Sequence, residues 1–241
     1  MKIALFGYGK MGKEIEKISL SRKNEISLIV DDHNSATFSA EELKKCDAAI
    51  EFSTPDTAVA NILACFNADV PVVVGTTGWL QRWDEVSSIC KEKNKSLFWA
   101  SNFSIGVNLF FKLNETLAKL MSTHPEYKAT MEEIHHIHKK DSPSGTGITL
   151  AEGILKNNKG LRKWVNTESS SEEELQLISK RIDEVPGTHS IRYSSEVDFI
   201  EIAHVAHSRK GFALGAVLAA EWIKGKRGLF NMNDLLNDTK S

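Results

Sequence analysis

The stretch Lys2-Ile3-Ala4-Leu5-Phe6-Gly7-Tyr8-Gly9-Lys10-Met11-Gly12 decides the fold of the N-terminal half of this chain. A short, largely apolar run comes first, and a Gly-x-Gly-x-x-Gly motif follows it directly. Apolar side chains then recur at Met11, Ile15 and Ile18, which is the spacing of one helix face. The order strand, glycine turn, helix predicts a dinucleotide-binding unit, because such glycines let the backbone approach a pyrophosphate closely.

A dinucleotide site also needs a group that recognises the ribose. Asp31 closes the next apolar run, 26–30, and stands about 20 residues beyond the glycine motif. A carboxylate at this place accepts hydrogen bonds from a ribose diol and repels a 2′-phosphate. Asp32 adds a second negative charge, so the sequence favours NADH over NADPH. Lys10 and Arg22 are near enough in sequence to offer a phosphate contact instead.

The first hundred residues repeat this alternation of apolar runs and helical patterns. Further apolar runs cover 48–52, 70–74 and 96–100, and helical patterns cover 55–66 and 79–93. Continuous apolar runs predict parallel strands that are covered by helices on both faces. The predicted fold class is therefore α/β, with a Rossmann-type parallel sheet.

The second half has a different pattern. Helical spacing covers 105–121 and 146–155, whereas 127–138 and 190–206 are rich in strand formers. The very polar segment 156–184 is interpreted as an exposed helix or loop.

We therefore expect two domains. A dinucleotide-binding domain covers 1–103, and the C-terminal segment 208–241 joins it because its helix is apolar on most sides. An α+β domain covers 104–207.

Composition restricts the class of protein. Of the 241 residues, 41% are hydrophobic and 26% charged, and the net charge is −2. These values are typical of a soluble globular protein and give no overall field for nucleic acid or an anionic membrane. No apolar stretch has the length of a membrane span, and the N-terminal run is too short for a signal peptide. The three cysteines are widely spaced and fit a reducing compartment, so we expect a cytoplasmic protein.

Two further motifs follow predicted strands. They are Gly75-Thr76-Thr77-Gly78 and Ala100-Ser101-Asn102-Phe103-Ser104. Ligands of open α/β sheets bind at the carboxyl ends of strands. Each motif alone is equally typical of a strand-to-helix turn with a Ser or Thr cap.

The fourth motif is Glu133-Ile134-His135-His136-Ile137-His138-Lys139-Lys140-Asp141-Ser142-Pro143-Ser144-Gly145-Thr146-Gly147. Three imidazoles are compatible with a metal site, but no acid or thiol has a recognisable ligand spacing, so no metal is expected. A solvated basic strand edge is a second interpretation. The third is an anion site with a proton donor, because Lys and His attract carboxylates and His exchanges protons near neutral pH.

The third interpretation has a geometric requirement. The turn before the predicted helix at 146–155 offers backbone N–H groups for a carboxylate. On a regular strand, however, His135 and Lys139 stand about 13 Å apart. They can act on one substrate only if the chain bends between them.

The four motifs, in this order, resemble the 4-hydroxy-tetrahydrodipicolinate reductase family, also called dihydrodipicolinate reductase. The most specific matches are the Ala-x-Asn-Phe-Ser-x-Gly-Val-Asn stretch at 100–108 and the His-His-x-His-Lys-x-Asp-x-Pro-Ser-Gly-Thr stretch at 135–146. The resemblance implies an NAD(P)H-dependent enzyme of lysine and diaminopimelate biosynthesis that reduces a cyclic dicarboxylate. It also implies a substrate and oligomerisation domain with an open mixed sheet.

The resemblance assigns roles to individual residues. It implies that His135 is a proton donor or acceptor and that Lys139 is a proton donor. The implied substrate-binding residues are His136, Lys139, Ser144, Gly145 and Thr146. The implied cofactor-binding residues are Gly7, Tyr8, Gly9, Lys10, Met11, Gly12, Asp31, Phe52, Gly75, Thr76, Thr77, Ala100, Ser101, Asn102 and Phe103.

The family's Arg-x-Gly-Asp-x-x-Gly-x-His segment is expected to be absent, with residues 191–197 in its place and a shortened region at 187–207. The Ile- and Val-rich segment 190–206 has apolar side chains at both alternating positions. An apolar sheet face needs a partner, so we expect a homo-oligomer, with a tetramer favoured over a dimer.

Two other functions stay open. One is another two-domain nicotinamide dehydrogenase, such as a semialdehyde dehydrogenase, which needs a nucleophilic cysteine. Cys46, Cys65 and Cys90 all lie in helix and loop segments of the first domain, which disfavours it. The other is a non-catalytic redox sensor, which needs no proton donor such as His135 or Lys139.

Overall fold

The computed structural model describes residues 1–31, 33–34, 38–208 and 210–238. Asp32, the second acid of the predicted ribose site, lies outside the described residues. The chain divides into two compact units, one formed by Met1–Ile105 with Lys210–Ser241 and the other by Gly106–Arg209.

Strands and helices alternate through most of the first unit. The strands are β1 (Lys2–Phe6), β2 (Glu25–Val30), β3 (Ala48–Glu51), β4 (Val72–Val74), β5 (Ser96–Trp99), β6 (Lys128–His135), β7 (Lys163–Val165), β8 (Glu174–Arg181), β9 (Thr188–Ser194), β10 (Phe199–Val205) and β11 (Gly228–Phe230). The helices are α1 (Lys10–Ser21), α2 (Ala40–Leu43), α3 (Pro55–Asn67), α4 (Trp83–Glu92), α5 (Ile105–Met121), α6 (Gly145–Asn157), α7 (Lys210–Ile223) and α8 (Met232–Asn237), and a 3₁₀ turn covers Leu80–Arg82.

The first unit contains a six-stranded parallel sheet in the order β11-β5-β4-β3-β1-β2. Both of its faces are covered, which explains the continuous apolar runs. On β1, Ala4 and Phe6 pack into one apolar cluster, while Ile3 and Leu5 pack into a second cluster that includes α7. The predicted α/β class is confirmed. The short strand β11 was not predicted, because three residues carry too little pattern.

Helix α7 belongs to this sheet, and its sequence reflects that position. Seven of its residues are buried: Ala213, Gly215, Ala216, Val217, Ala219, Ala220 and Ile223. A Cβ on Gly215 would lie 1.7 Å from the carbonyl oxygen of Phe103, so only glycine permits this close packing.

The second unit contains a five-stranded mixed sheet in the order β10-β9-β6-β8-β7. Strand β6 pairs in parallel with β8 and antiparallel with β9. Helices α5 and α6 supply Phe110, Leu150 and Ile154 to the apolar core of this unit, where they meet side chains such as Leu177 and Ile191.

Two sequence-based expectations for this unit are wrong. The polar segment 156–184 is not an exposed helix or loop, because it contains β7 and β8. Leu175 and Leu177 are buried and alternate with the half-buried Gln176 and Ile178, a two-residue period that the surrounding charges conceal. The predicted strand 127–138 is also too long, since β6 ends at His135.

Candidate active site

The glycine turn of the first unit leaves an open place at the start of α1. Gly7 has a φ of +91°, and a Cβ on it would lie 2.1 Å from the carbonyl oxygen of Phe52. A Cβ on Gly12 would lie 2.2 Å from the Gly7 oxygen, so the protein's own backbone requires both glycines. Gly9 differs, because its missing Cβ faces open space. Among the described residues no side chain caps α1, so its first N–H groups suit a phosphate.

A cavity of about 360 Å³ lies beside this turn. It is lined by Gly7, Tyr8, Gly9, Val30, Asp31, His33, Phe52, Ser53, Thr54, Thr57 and Asn61. Five of the predicted cofactor residues therefore meet here. Asp31 Oδ1 accepts a hydrogen bond from the backbone N–H of His33 at 2.9 Å. The lining fits a dinucleotide, with glycines for the pyrophosphate and a carboxylate for the ribose.

The strand-end motifs pack around the Phe52 ring. A Cβ on Gly75 would lie 2.1 Å from an atom of this ring, and the ring of Phe103 has its centroid 5.6 Å away. Thr76 Oγ1 accepts a hydrogen bond from the Ser53 N–H at 2.9 Å. The other predicted cofactor residues are exposed (Lys10, Thr77, Ser101), half-buried (Met11, Asn102) or buried (Gly12, Ala100).

Arg22 is not a candidate for the phosphate site, which corrects the alternative raised from its place in the sequence. It follows the last turn of α1 and forms an ion pair of 2.7 Å with Glu221 of α7. Twelve helical residues separate it from the glycine turn, a distance of about 18 Å. Lys10 stands at the correct end of the helix and is exposed.

Sequence reasoning missed Glu51, a fully buried carboxyl at the end of β3. Its Oε1 accepts hydrogen bonds from the Ser53 N–H at 3.1 Å and from Asn61 Nδ2 at 3.3 Å. No group among the described residues hydrogen-bonds to its Oε2. Burial raises the pKa of this carboxyl. Glu51 thus supports two residues of the cavity wall from below.

The three cysteines are structural. Cys46, Cys65 and Cys90 are all buried, and burial raises the pKa of Cys46 and of Cys90 to about 11. A thiol of this kind does not supply a nucleophilic thiolate at neutral pH. The dehydrogenase alternative that requires a catalytic cysteine is therefore disfavoured on structural grounds.

In the second unit the chain bends directly after His135. The Lys139 N–H donates to the His136 oxygen at 3.1 Å, which closes a turn. Lys139 Nζ contacts both carboxylate oxygens of Asp141 at 2.8 Å. Arg181 of the neighbouring strand β8 donates to the backbone oxygens of Lys139, at 3.3 Å, and of Asp141, at 2.5 Å. The bend that the anion-site interpretation required is thus present.

The turn that opens α6 is held from inside. Ser144 is buried, and its Oγ accepts a hydrogen bond from the Gly147 N–H at 3.0 Å, so Ser144 is the helix N-cap. Gly145 is exposed, with open space at its missing Cβ, and Thr146 is half-buried. His136 is half-buried, and its ring centroid lies 6.0 Å from that of His138.

A buried polar cluster lies behind this turn. Glu133, His135 and His189 each place a ligand-type atom within 4.8 Å of the others. The sequence gave no acid at a metal-ligand spacing, because His189 comes from the distant strand β9. Both Glu133 oxygens already accept hydrogen bonds from Ser144, and Ser179 Oγ donates to one of them at 2.9 Å. We therefore interpret the group as a hydrogen-bonded network rather than a metal centre.

The network changes the acidity of its members. Burial, together with the neighbouring His189, lowers the pKa of His135 to about 4. Burial alone raises the pKa of Glu133, but the nearby His189 and the hydrogen bonds from Ser144 outweigh it and hold that pKa at about 2. At neutral pH Glu133 is thus an anion and His135 is neutral in the absence of a ligand.

The segment Arg-x-Gly-Asp-x-x-Gly-x-His, expected to be absent, is present at 181–189. Arg181, Gly187 and His189 stand at the matching places, with Asp183 and Glu184 at those of the first Gly and the Asp. Asp183 has a φ of +40°, in the left-handed region that favours glycine. The substitution at this position concealed the motif in the sequence.

Comparison with known families agrees with this architecture. Residues 1–103 match the family described as "Dihydrodipicolinate reductase, N-terminus", and residues 106–236 match "Dihydrodipicolinate reductase, C-terminus". The chain belongs to the dihydrodipicolinate reductase family. The family and the oxidoreductase class predicted from the four motifs are confirmed.

Characterised relatives carry the same family name over their full length. The chain is 48% identical to the 4-hydroxy-tetrahydrodipicolinate reductase of Christiangramia forsetii, over 99% of this chain and 98% of the relative. It is 31% identical to that of Methanoregula boonei, over 97% and 96%. With such coverage, the expectation of a shortened region at 187–207 is also wrong.

Solved structures share the fold. The chain superposes on dipicolinate-bound dihydrodipicolinate reductase from Paenisporosarcina sp. TG-14 with a TM-score of 0.75 and 20% identity, covering 96% of this chain and 97% of that one. Aspartate semialdehyde dehydrogenase II from Vibrio cholerae gives a TM-score of 0.53 at 10% identity, covering 92% and 97%. Among the described residues, no helix has both the length and the apolar character needed to cross a membrane.

Proposed function

We propose that this chain reduces 4-hydroxy-tetrahydrodipicolinate, through its dehydrated cyclic imine, to tetrahydrodipicolinate with a nicotinamide dinucleotide, as a cytoplasmic step of lysine and diaminopimelate synthesis. The observation that supports it most is the bend after β6. It gathers His135, His136 and Lys139 near the open first turn of α6, within one unit.

The cofactor belongs to the first unit. When bound there, NADH or NADPH supplies the hydride that adds to the conjugated imine. The open place at Gly9 and the uncapped start of α1 receive the pyrophosphate. Asp31 receives the ribose hydroxyls, and its charge favours NADH over NADPH.

The substrate belongs to the second unit. One carboxylate accepts hydrogen bonds from the N–H groups of Gly145 and Thr146, where the helix start favours negative charge. His136 and Lys139 complete the anion site. Ser144 keeps this turn in place from below, since its side chain is buried and already hydrogen-bonded.

Charge that develops on the ring nitrogen needs a proton. His135 is neutral before a ligand binds, because its pKa is lowered to about 4. Lys139 carries its proton in the ion pair with Asp141. We therefore assign the proton donation to Lys139. The neutral His135 then serves as its hydrogen-bonding partner at the substrate, and the negative substrate favours a proton on His135 during the reaction.

Spectrophotometric NADH oxidation with freshly generated cyclic imine tests the proposal. Substrate-dependent oxidation at the enzyme's own rate is expected. Tight NADH binding without turnover would instead support the redox sensor. Turnover only with an amino acid or semialdehyde would support the other dehydrogenases.

The second unit also supports assembly into a homo-oligomer. Strand β10 is an edge strand, and Phe199, Ile200 and Val205 on it are exposed. Exposed apolar side chains at a sheet edge favour association with a second copy. We infer a closed homo-oligomer through this sheet, with a tetramer favoured over a dimer.

A further inference from the structure

Glu133 has no role in the proposed reaction so far, yet it is the most heavily engaged carboxylate of the second unit. It precedes His135 by two residues on β6, so the two side chains share one face of the sheet. Only 1% of its side chain is exposed. The backbone N–H of Ser144 donates to its two oxygens at 2.9 and 3.1 Å, and Ser144 Oγ donates as well.

Charged and titratable groups face Glu133 from every neighbouring element. On β9, His189 Nε2 lies 3.6 Å from Oε2, and on β8, Arg181 Nη1 lies 3.8 Å from Oε1. His135 Nδ1 lies 4.0 Å from Oε1 and has no hydrogen-bond partner among the described residues. Lys139 is a further positive charge near His135. One buried anion thus stands among four basic side chains.

The fit around Glu133 is close. A Cβ on Gly147 would lie 2.6 Å from Glu133 Oε2, so the first turn of α6 packs directly on the carboxylate. Ser144, the N-cap of this turn, also contacts His189 Nε2 at 3.2 Å. The helix start that receives a substrate carboxylate and the strand end that carries His135 are therefore joined through this one side chain.

We propose that Glu133 is a positioning residue of this enzyme, whose buried negative charge holds the α6 turn in its anion-binding position and favours protonation of His135. The inference rests on the proposed function for its kinetic part. The contacts with Ser144 and the opposition to His135 are independent of it.

The charge has a defined direction of effect. An anion 4.0 Å from an imidazole stabilises the imidazolium, so it raises the pKa of His135 against burial, His189, Lys139 and Arg181, all of which lower it. Replacement of Glu133 by a neutral isostere removes the only favourable term of this set. The pKa of His135 must then fall further, and protonation during the reaction becomes harder.

The chain offers a matched control. Glu132 is the preceding residue on β6, points to the opposite face, is only half-buried, and pairs with Lys180. We would compare Glu133→Gln and Glu132→Gln in the full chain. Glu133→Asp is the conservative variant that keeps the charge.

The first measurement is NMR titration of the histidine side chains in the protein without substrate. A lower pKa of His135 in Glu133→Gln, and an unchanged one in Glu132→Gln, is expected. An unchanged His135 in Glu133→Gln would overturn the electrostatic part, whether or not the chain is a reductase. If Glu133→Gln does not fold, Glu133→Asp must show a His135 pKa closer to the wild type than any folded neutral variant at this position, such as Glu133→Ala.

The second measurement separates KM from kcat. We expect Glu133→Gln to raise KM for the cyclic imine about tenfold, on the scale of a lost charged hydrogen bond, with KM for NADH unchanged. Partial rescue by Glu133→Asp is expected. An equal rise of both KM values, or a loss of kcat alone, would mean a general structural role and would contradict the proposal. Absence of wild-type turnover would refute the proposed function instead, and the titration would still decide the electrostatic part.

Discussion

The guanidinium of Arg181 donates a hydrogen bond through Nε to the backbone oxygen of Lys139 at 3.3 Å, and so ties the strand β8 to the loop after β6. A second bond from Nη2 reaches the oxygen of Asp141, the residue that pairs with the Lys139 ammonium. Arginine is suited to this task because its planar fork holds two acceptors at once. The position of the proposed proton donor therefore depends on a residue of another strand.

Replacement of Arg181 tests this dependence. We expect Arg181→Lys to lower kcat/KM by about tenfold and Arg181→Ala by more, because a misplaced donor of 1 Å can cost about 10²-fold in rate. NADH affinity should not change, since Arg181 belongs to the other unit. Steady-state kinetics and NADH fluorescence titration measure the two effects. Lys180→Ala, on the exposed face of the same strand, serves as the control, and an equal loss there would contradict the assignment.

The roles of His135 and Lys139 lead to a second prediction. His135→Ala and Lys139→Ala should each lower kcat by roughly 10², the usual scale of general acid catalysis, and leave NADH binding intact. His138→Ala and Lys140→Ala remove exposed neighbours of the same types and should have little effect. Near-normal kcat in both of the first two variants would show that the proposed roles are misassigned.

The third prediction concerns cofactor choice. The Asp31 carboxylate at the ribose end of the cavity should make kcat/KM higher for NADH than for NADPH. Asp31→Ser should reduce this ratio, mainly through better use of NADPH, because a repulsive charge is removed. Both cofactors should be compared at one salt concentration. A wild-type preference for NADPH would refute the prediction and would direct attention to Lys10.

Local patterns in the sequence were sufficient for the first unit. The run Lys2–Phe6, the glycine motif and the helical spacing of α1 each depend on neighbouring residues, and the structure forms them as predicted. Apolar runs were readable because both faces of the sheet are buried. Arg22 was misjudged, since proximity in sequence to the glycine motif says nothing about which end of α1 it occupies.

The second unit depends on contacts between distant residues. The bend after His135 is fixed by Arg181, 42 residues from Lys139, and the cluster around Glu133 needs Ser179 and His189. No periodicity reports such pairs. Strand β8 was missed because charged residues precede and follow its buried leucines, Leu175 and Leu177. The motif at 181–189 was missed because Asp183 takes a conformation typical of glycine.

The fourth prediction is a loss of stability in mild acid. The pKa of His135 falls from 6.5 in a model peptide to about 4 in the fold, so the unfolded chain binds a proton first as the pH drops. Stability should be complete above the unfolded pKa and fall by about 2 kcal/mol between pH 7 and pH 5 from this group. Glu133, with a pKa of about 2, contributes only at lower pH. Urea titrations of the wild type and His135→Gln measure the difference, which should shrink in the variant. His138→Gln, an exposed histidine, should behave like the wild type.

The last prediction concerns the edge strand β10. Its side chains Phe199 and Val205 are 57% and 54% exposed and lie on the same face, because their separation of six residues preserves the two-residue period. Water at these side chains is unfavourable, and a second copy of the same sheet can cover them with closed symmetry. Multi-angle light scattering at micromolar concentration should give four times the chain mass of 26.8 kDa. Phe199→Glu should shift the distribution to smaller species, since a charge in an apolar interface is costly. Leu120→Glu replaces an equally exposed side chain on α5, 64% exposed, and should leave the mass unchanged. A wild-type mass of one chain would refute the oligomer, twice that mass would assign a dimer, and an unaltered mass in Phe199→Glu would place the interface elsewhere.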